Sequence, residues 1–395
     1  MIAEDMMNLG KKSSVIREIF EYGKKRKQEI GADNVFDFSI GNPSVPAPDS
    51  VKKAILELVE TMDTTELHGY TSAPGDIDVR KTIAEYINRT FHTSVNAEDI
   101  YMTVGAAASL TISIKALAQA GDEFITFTPF FPEYRVFVEA AGANLVTVAS
   151  REGDFQVDVD ALEKAITEKT KAIILNSPNN PSGVVLTEKN IQDICQLLEK
   201  KQKEYNHAIY IITDEPYREL VYDDIQVPYL INYYDNTIVG YSFSKSLSLP
   251  GERIGYIVVS NKMENARDVY AAVCGAGRAL GYVCAPSLFQ RVAAKCIGQT
   301  SDISIYKKNR DLLYQSLERY GYHCVKPDGA FYLFVQALES DATAFCEKAK
   351  KHELLLVPAD DFGCPGYVRI SYCVTTEQIE RALPAFEKLA KEYQK

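Results

Sequence analysis

The sequence predicts an α/β protein: a mainly parallel sheet of seven strands flanked by helices, followed by a smaller α+β domain. Three observations carry that expectation. Short apolar runs of strand length alternate with longer segments of helical period. Polar, turn-forming motifs follow directly on five of those runs. The alternation stops after Val259 and a different pattern begins.

The elements follow in order. An amphipathic, helix-like stretch at 14–30 precedes Phe36-Asp37-Phe38-Ser39-Ile40 and the turn-rich Gly41-Asn42-Pro43-Ser44-Val45-Pro46. Apolar runs then lie at 100–104, 124–128, 145–149, 172–175, 208–213, 237–241 and 255–259, with helix-period segments such as 157–167 and 188–204 between them. Strand and helix in repetition imply parallel strands with helices on both faces. Beyond Val259 a long helical region, 264–319, leads to strand-like pieces at 323–326, 331–335, 354–357 and 367–371, and a final helix at 376–393. The chain divides accordingly into an N-terminal arm with part of the small domain (1–45), a large domain (46–285) and a small C-terminal domain (286–395).

Composition narrows the function classes. The 395 residues are 46% hydrophobic, enough for a large core. The net charge of -11 disfavours nucleic acid as a partner, because neutralising phosphates requires a basic face. The first ten residues include Glu4 and Asp5 and no apolar run of signal-peptide length, and no stretch reaches the length of a membrane span. The eight cysteines are scattered without a C-x-x-C pair and the five histidines are dispersed. A cytoplasmic protein without a metal site or a disulfide framework is expected.

The chemistry is written at the strand ends. Gly105-Ala106-Ala107 follows the first run, Pro129-Phe130-Phe131-Pro132 the second, and Asn176-Ser177-Pro178-Asn179-Asn180-Pro181-Ser182-Gly183 the fourth. Asp214-Glu215-Pro216-Tyr217 follows the fifth and Ser242-Phe243-Ser244-Lys245 the sixth. Parallel strands deliver their C-terminal ends to one edge, where ligands bind. Taken singly, each motif has a plainer explanation: Lys245 a solvated loop lysine, Asp214 a helix cap, the Asn-Pro-Ser-Gly segment a turn, Arg253 and Arg369 surface or strand-edge ion pairs. Five motifs converging on one edge are harder to explain that way.

Together they resemble the class I/II aminotransferases. Ser242-Phe243-Ser244-Lys245-Ser246-Leu247-Ser248-Leu249-Pro250-Gly251-Glu252-Arg253-Ile254-Gly255 is similar to that family's lysine signature almost residue for residue. Asn180-Pro181-Ser182-Gly183 and Asp214-Glu215-Pro216-Tyr217 match its other core motifs in order and separation. The resemblance runs from Gly41-Asn42-Pro43 to Arg369-Ile370-Ser371 and implies fold type I and the cofactor pyridoxal 5'-phosphate (PLP). It assigns Lys245 to the internal aldimine and to proton transfer between substrate Cα and cofactor C4′, a task suited to an amine that is freed when substrate displaces it. Asp214 would keep the pyridine nitrogen protonated. Asn180 and Tyr217 would hydrogen-bond the phenolic oxygen, and Phe131 would stack on the ring where some relatives use tryptophan, which this chain lacks. Backbone N–H groups of Gly105, Ala106 and Ala107 at a helix start, with Ser242 and Arg253, would hold the phosphate. Many relatives carry a polar side chain near Ala107 or Ala108, and alanine here puts one phosphate contact in doubt. Tyr70, in His68-Gly69-Tyr70-Thr71, resembles the tyrosine that reaches the phosphate from a partner subunit, which implies a homodimer with shared sites. Arg369, with the Gly41 N–H and Asn180, would bind the substrate α-carboxylate, and Pro327-Asp328-Gly329-Ala330-Phe331-Tyr332 lies at the usual distance upstream.

The expected reaction is transamination between an L-amino acid and a 2-oxo acid. The same cofactor residues also serve PLP-dependent C–S lyases. Sensor domains of transcriptional regulators share the fold and carry an N-terminal DNA-binding module; with about forty residues before Gly41 and an acidic net charge, this sequence is not expected to be one. Aspartate is the expected donor only because such enzymes are abundant in the family. Arg278 is a candidate second cation for a dicarboxylate, set against the plainer reading of a solvated arginine.

Overall fold

A computed structural model describes residues 2–11 and 14–394. The strands in chain order are β1 (Phe36–Asp37), β2 (Ile100–Thr103), β3 (Glu123–Thr128), β4 (Asn144–Ala149), β5 (Thr170–Asn176), β6 (Tyr210–Asp214) and β7 (Thr237–Ser242). They continue with β8 (Gly255–Val259), β9 (His323–Val325), β10 (Tyr332–Gln336), β11 (Leu354–Leu355), β12 (Val357–Pro358) and β13 (Tyr367–Ser371). Seven of them form the expected sheet, in the order β2-β8-β7-β6-β5-β3-β4. All pairs are parallel except those of β8, which runs against both β2 and β7. Its sequence reads like its neighbours' because every residue of β6, β7 and β8 is buried. Periodicity reports burial on both faces and not strand direction.

Helices cover both faces. Leu110, Ile112 and Ile114 of helix Ala106–Leu117 and Val273 of helix Ala266–Ala279 pack on one side with Phe124, Ile174, Ile212 and Ile257. On the other side Leu162, Ile191, Ile194 and Leu198 meet Ile125, Ile173 and Ile211. The register aligns the strand ends: Asn176 lies opposite Asp214, Asp214 opposite Gly240, and Ser242 opposite Gly255.

A second core surrounds the antiparallel sheet β12-β13-β10-β9. The parallel pair β1-β11 ties the start of the chain to its end through Phe36 opposite Leu354.

Two expectations are corrected. The region 264–319 is three helices, Ala266–Ala279, Ser287–Lys295 and Ile303–Tyr320. Positive φ at Gly281 and Cys284, with Pro286 after them, ends the first, and Gly298 follows the second at φ 80°. These conformations are incompatible with a continuing right-handed helix. The run 354–357 divides into β11 and β12, the first pairing with β1 and the second with β13, because the chain changes sheets at Leu356. Among the described residues no helix is long and apolar enough to cross a membrane.

Candidate active site

A cavity of about 290 Å³ opens where β5, β6 and β7 end. Its walls include Lys245, Asp214, Tyr217, Asn180, Ala106, Ala107, Phe131, Ser242, Arg253, Arg369 and Gly41. Motifs separated by more than 300 residues therefore meet in one space. Gly105 borders it from the N-cap of helix Ala106–Leu117. Tyr70 and Arg278 lie outside: Tyr70 is 98% exposed and Arg278 is exposed near the end of its helix.

Lys245 sits on a single helical turn, Phe243–Ser246, directly after β7. Ser242 begins that turn by accepting from the Ser244 N–H at 3.1 Å. The Lys245 Nζ donates to the Gly41 carbonyl at 2.7 Å and lies 5.2 Å from the centre of the Phe331 ring. Burial brings its pKa down to about 8; Cys373 opposes that shift, and Arg253 and Arg369 add to it. The amine is thus far more available as a base and nucleophile than a surface lysine.

Asp214, 5% exposed, ends β6. Its backbone carbonyl accepts from Asn176 Nδ2 at 2.7 Å, and its Oδ2 accepts from the Tyr134 hydroxyl at 2.6 Å. Its Oδ1 is buried and has no partner among the described residues. Burial pushes the carboxyl up to about 7; the Tyr134 hydrogen bond pulls against this and Glu215 adds to it. A buried acceptor without a donor is costly, so Asp214 is set to receive one from a ligand.

At the opposite wall Arg369, on β13, is 2% exposed. It donates to the Ser39 carbonyl at 2.6 Å and to Asn180 Oδ1 at 3.2 Å, and its Nε has no partner among the described residues. The guanidinium lies 4.7 Å from the Tyr332 ring centre and 5.2 Å from that of Phe362. Burial lowers its pKa, with Tyr332 and Tyr217 opposing. No carboxylate among the described residues pairs with it. A charged fork held in this way has the geometry to take a carboxylate or phosphate with two parallel hydrogen bonds.

Between these ends, the Tyr217 hydroxyl lies 3.0 Å from that of Tyr332. Burial keeps the Tyr217 phenol well above its ordinary pKa, so it is neutral and able to donate. Phe131 presents its ring beside Tyr134, edge to face at 5.7 Å. Gly105 has φ 91°, and a Cβ there would lie 2.7 Å from Arg253 Nη2. The N-terminal N–H groups of helix Ala106–Leu117 have no side-chain cap and open beside that arginine. The pair forms an anion cradle that any larger side chain at 105 would fill.

Sequence reading missed three participants. Tyr134 stands three residues after Phe131, and its helical spacing was the available signal. Tyr332 packs so closely that a Cβ on Gly41 would lie 2.0 Å from its hydroxyl, which explains the glycine. Ser39 contributes only a carbonyl, which no side-chain pattern reveals.

Comparison with known proteins agrees with this geometry. The family model "Aminotransferase class I and II" matches residues 33–386. The chain is 29% identical to aromatic-amino-acid aminotransferase 2 of Thermococcus litoralis, over 96% of each chain. It is similar to the crystal structure of an aminotransferase from Eubacterium rectale, with TM-score 0.98, 60% identity and full coverage of both chains. The aspartate aminotransferase of Thermus thermophilus with maleate matches with TM-score 0.84 and 26% identity, over 96% of this chain and 97% of the other.

Proposed function

The chain belongs to the class I and II aminotransferases, and from that premise we propose that it transfers an amino group between an L-amino acid and a 2-oxo acid, with Lys245 carrying PLP. The observation that carries this reading is the pairing across one cavity of two unmet demands. Among the described residues Asp214 Oδ1 lacks a donor and Arg369 lacks an anion, with the Lys245 amine in the same cavity.

The residues fit PLP. The Gly105–Arg253 cradle, the first N–H groups of the following helix and Ser242 would hold its phosphate, Phe131 its ring face, Asp214 its ring nitrogen, and Asn180 and Tyr217 its phenolic oxygen. When bound, that group supplies an electron sink for the charge left on the amino acid's Cα. Arg369 orients the α-carboxylate, helped by Asn180 and Gly41. Lys245, with an amine pKa brought down to about 8, accepts and returns the Cα proton. Asp214 would favour a positive charge at the ring nitrogen, and Tyr217 would donate toward the phenolic oxygen.

The same reading makes the protein a homodimer whose Tyr70 completes the neighbouring site, and a cytoplasmic enzyme. It also divides the chain into an N-terminal arm with part of the small domain (1–45), a large domain (46–285) and a small C-terminal domain (286–395); Val292, Ala293 and Cys296 pack with Val51, Ile83 and Ile87.

The test is to load the protein with PLP and supply a panel of amino acids, then 2-oxo acids. Formation of the 2-oxo acid of each donor, reversed by a second oxo acid, is expected. Release of ammonia and pyruvate from sulfur amino acids instead would replace transamination with C–S cleavage. Borohydride should fix the cofactor on Lys245, and fixation undiminished in Lys245→Ala would refute its role.

A further inference from the structure

We infer that Tyr134 is the positioning residue that orients Asp214 toward the cofactor ring and keeps its carboxylate ionised. The inference rests on the PLP reading above and extends it to a side chain outside the cavity's set of expected contacts.

The geometry is specific. Tyr134 is 1% exposed, and its hydroxyl donates at 2.6 Å to Oδ2 of Asp214, leaving Oδ1 as the one oxygen of that carboxylate without a partner among the described residues. A carboxylate anchored by one oxygen and by Asn176 at its own backbone carbonyl has a single free acceptor to offer. The Tyr134 ring also stands edge-on against Phe131, at 84° between planes. One side chain therefore braces both groups assigned to the ring, the anion at its nitrogen and the aromatic on its face.

The hydroxyl matters electrically because Asp214 is buried. Desolvation disfavours its charged form, and Glu215 beside it works in the same direction. Tyr134 is the hydrogen-bond donor that opposes them. The other titratable groups around Asp214 are Tyr217 on its own loop, neutral and far above its ordinary range, and the cationic Lys245, Arg253 and Arg369 on the cavity wall. Arg218 is occupied in pairing with Glu215.

Removing the hydroxyl should raise the pKa of Asp214, so the affinity gained when Asp214 ionises would be gained at higher pH. The experiment measures binding of pyridoxamine 5'-phosphate to the apo-protein from pH 5 to 9. This probe has the ring nitrogen and phosphate but forms no covalent bond to Lys245. In Tyr134→Phe the midpoint of the affinity–pH curve should move up by about one unit, weakening binding about fivefold at pH 7 and about tenfold at pH 6 and below, while the two proteins converge toward pH 9. Tyr134→His or Tyr134→Gln, which restore a donor, should return the midpoint toward wild type. A Tyr134→Phe protein weakened equally at every pH, or unchanged, overturns the inference, since packing alone does not move the midpoint. Failure of the wild-type apo-protein to bind the probe at any pH overturns the PLP reading and the inference with it.

Discussion

Two buried arginines, some distance apart in the same fold, are treated in opposite ways. Arg218 is 4% exposed and forms an ion pair with the buried Glu215, and its guanidinium lies 4.8 to 5.1 Å from the ring centres of Tyr241, Tyr229 and Phe91. Burial alone would lower its pKa, but Glu215 holds it well above the ordinary value. Arg369 is equally buried and also packed on rings, yet its acceptors are a carbonyl and an amide oxygen. Burial lowers its pKa and nothing of full negative charge restores it. The first region is electrostatically closed and the second is open. Burial alone does not tell the two arginines apart; the presence of a counter-charge does.

The comparison can be broken most forcefully at the closed end. Arg218→Met leaves Glu215 as an unpaired buried charge and should destabilise the chain by about 3–5 kcal/mol, read as a lower urea midpoint. An unfolding curve within error of wild type would mean that Glu215 is simply neutralised at little cost. Arg369→Met should do the reverse. Stability should be unchanged or higher, because an uncompensated charge has left the interior. The kcat/KM for every amino acid should fall by roughly 10²- to 10³-fold, the loss of a bidentate, charge-assisted contact worth about 3–4 kcal/mol. A stability loss as large as that of Arg218→Met would place Arg369 among the structural charges.

Lys245 sharpens the same contrast through pH. Its folded pKa, about 8, lies below the 10.5 of an unfolded lysine, so below pH 8 the fold carries a buried ammonium. Between pH 8 and 10.5 the unfolded chain binds the extra proton, and the stability contributed by this group rises with pH. Apo Lys245→Met should therefore melt above wild type at pH 7, with an advantage that shrinks as pH approaches 10.5. The rate at which PLP attaches to the wild-type apo-protein should climb through about pH 8 as the free amine appears. A climb centred above pH 10 would show that the amine is solvated.

How much of this was legible in the sequence follows from which part is contiguous. That Lys245 and Asp214 would meet at one edge was readable because strand order places whole motifs, such as Asp214 to Tyr217 and Ser242 to Lys245, at strand termini. That Arg369 would join them was readable only through family resemblance, since it meets Ser39 and Asn180 across 330 and 189 residues of chain. The reversal of β8 was hidden by uniform burial, and the breaks in 264–319 by local φ values at Gly281, Cys284 and Gly298. Neither the pairing of Arg218 with Glu215 nor the anchoring of Asp214 by Tyr134 leaves a trace in periodicity, although the residues of the first pair are only three apart.

The smallest expected effect concerns the residue left most open. Tyr70 is 98% exposed on this chain, a large aromatic that the described residues leave almost wholly uncovered. If its hydroxyl serves the phosphate of a neighbouring subunit, Tyr70→Phe should weaken PLP binding by about tenfold, the worth of one hydrogen bond to a charged group. The chain's own melting temperature should not move. The hybrid experiment decides the geometry. Mixing Tyr70→Phe chains with Lys245→Met chains leaves, in each heterodimer, one lysine-bearing site, and that site lies on the chain that lacks the Tyr70 hydroxyl. Wild-type affinity there requires the hydroxyl to arrive from the partner. Weakened affinity, equal to that of the Tyr70→Phe homodimer, would confine Tyr70 to its own chain and remove the argument for shared sites.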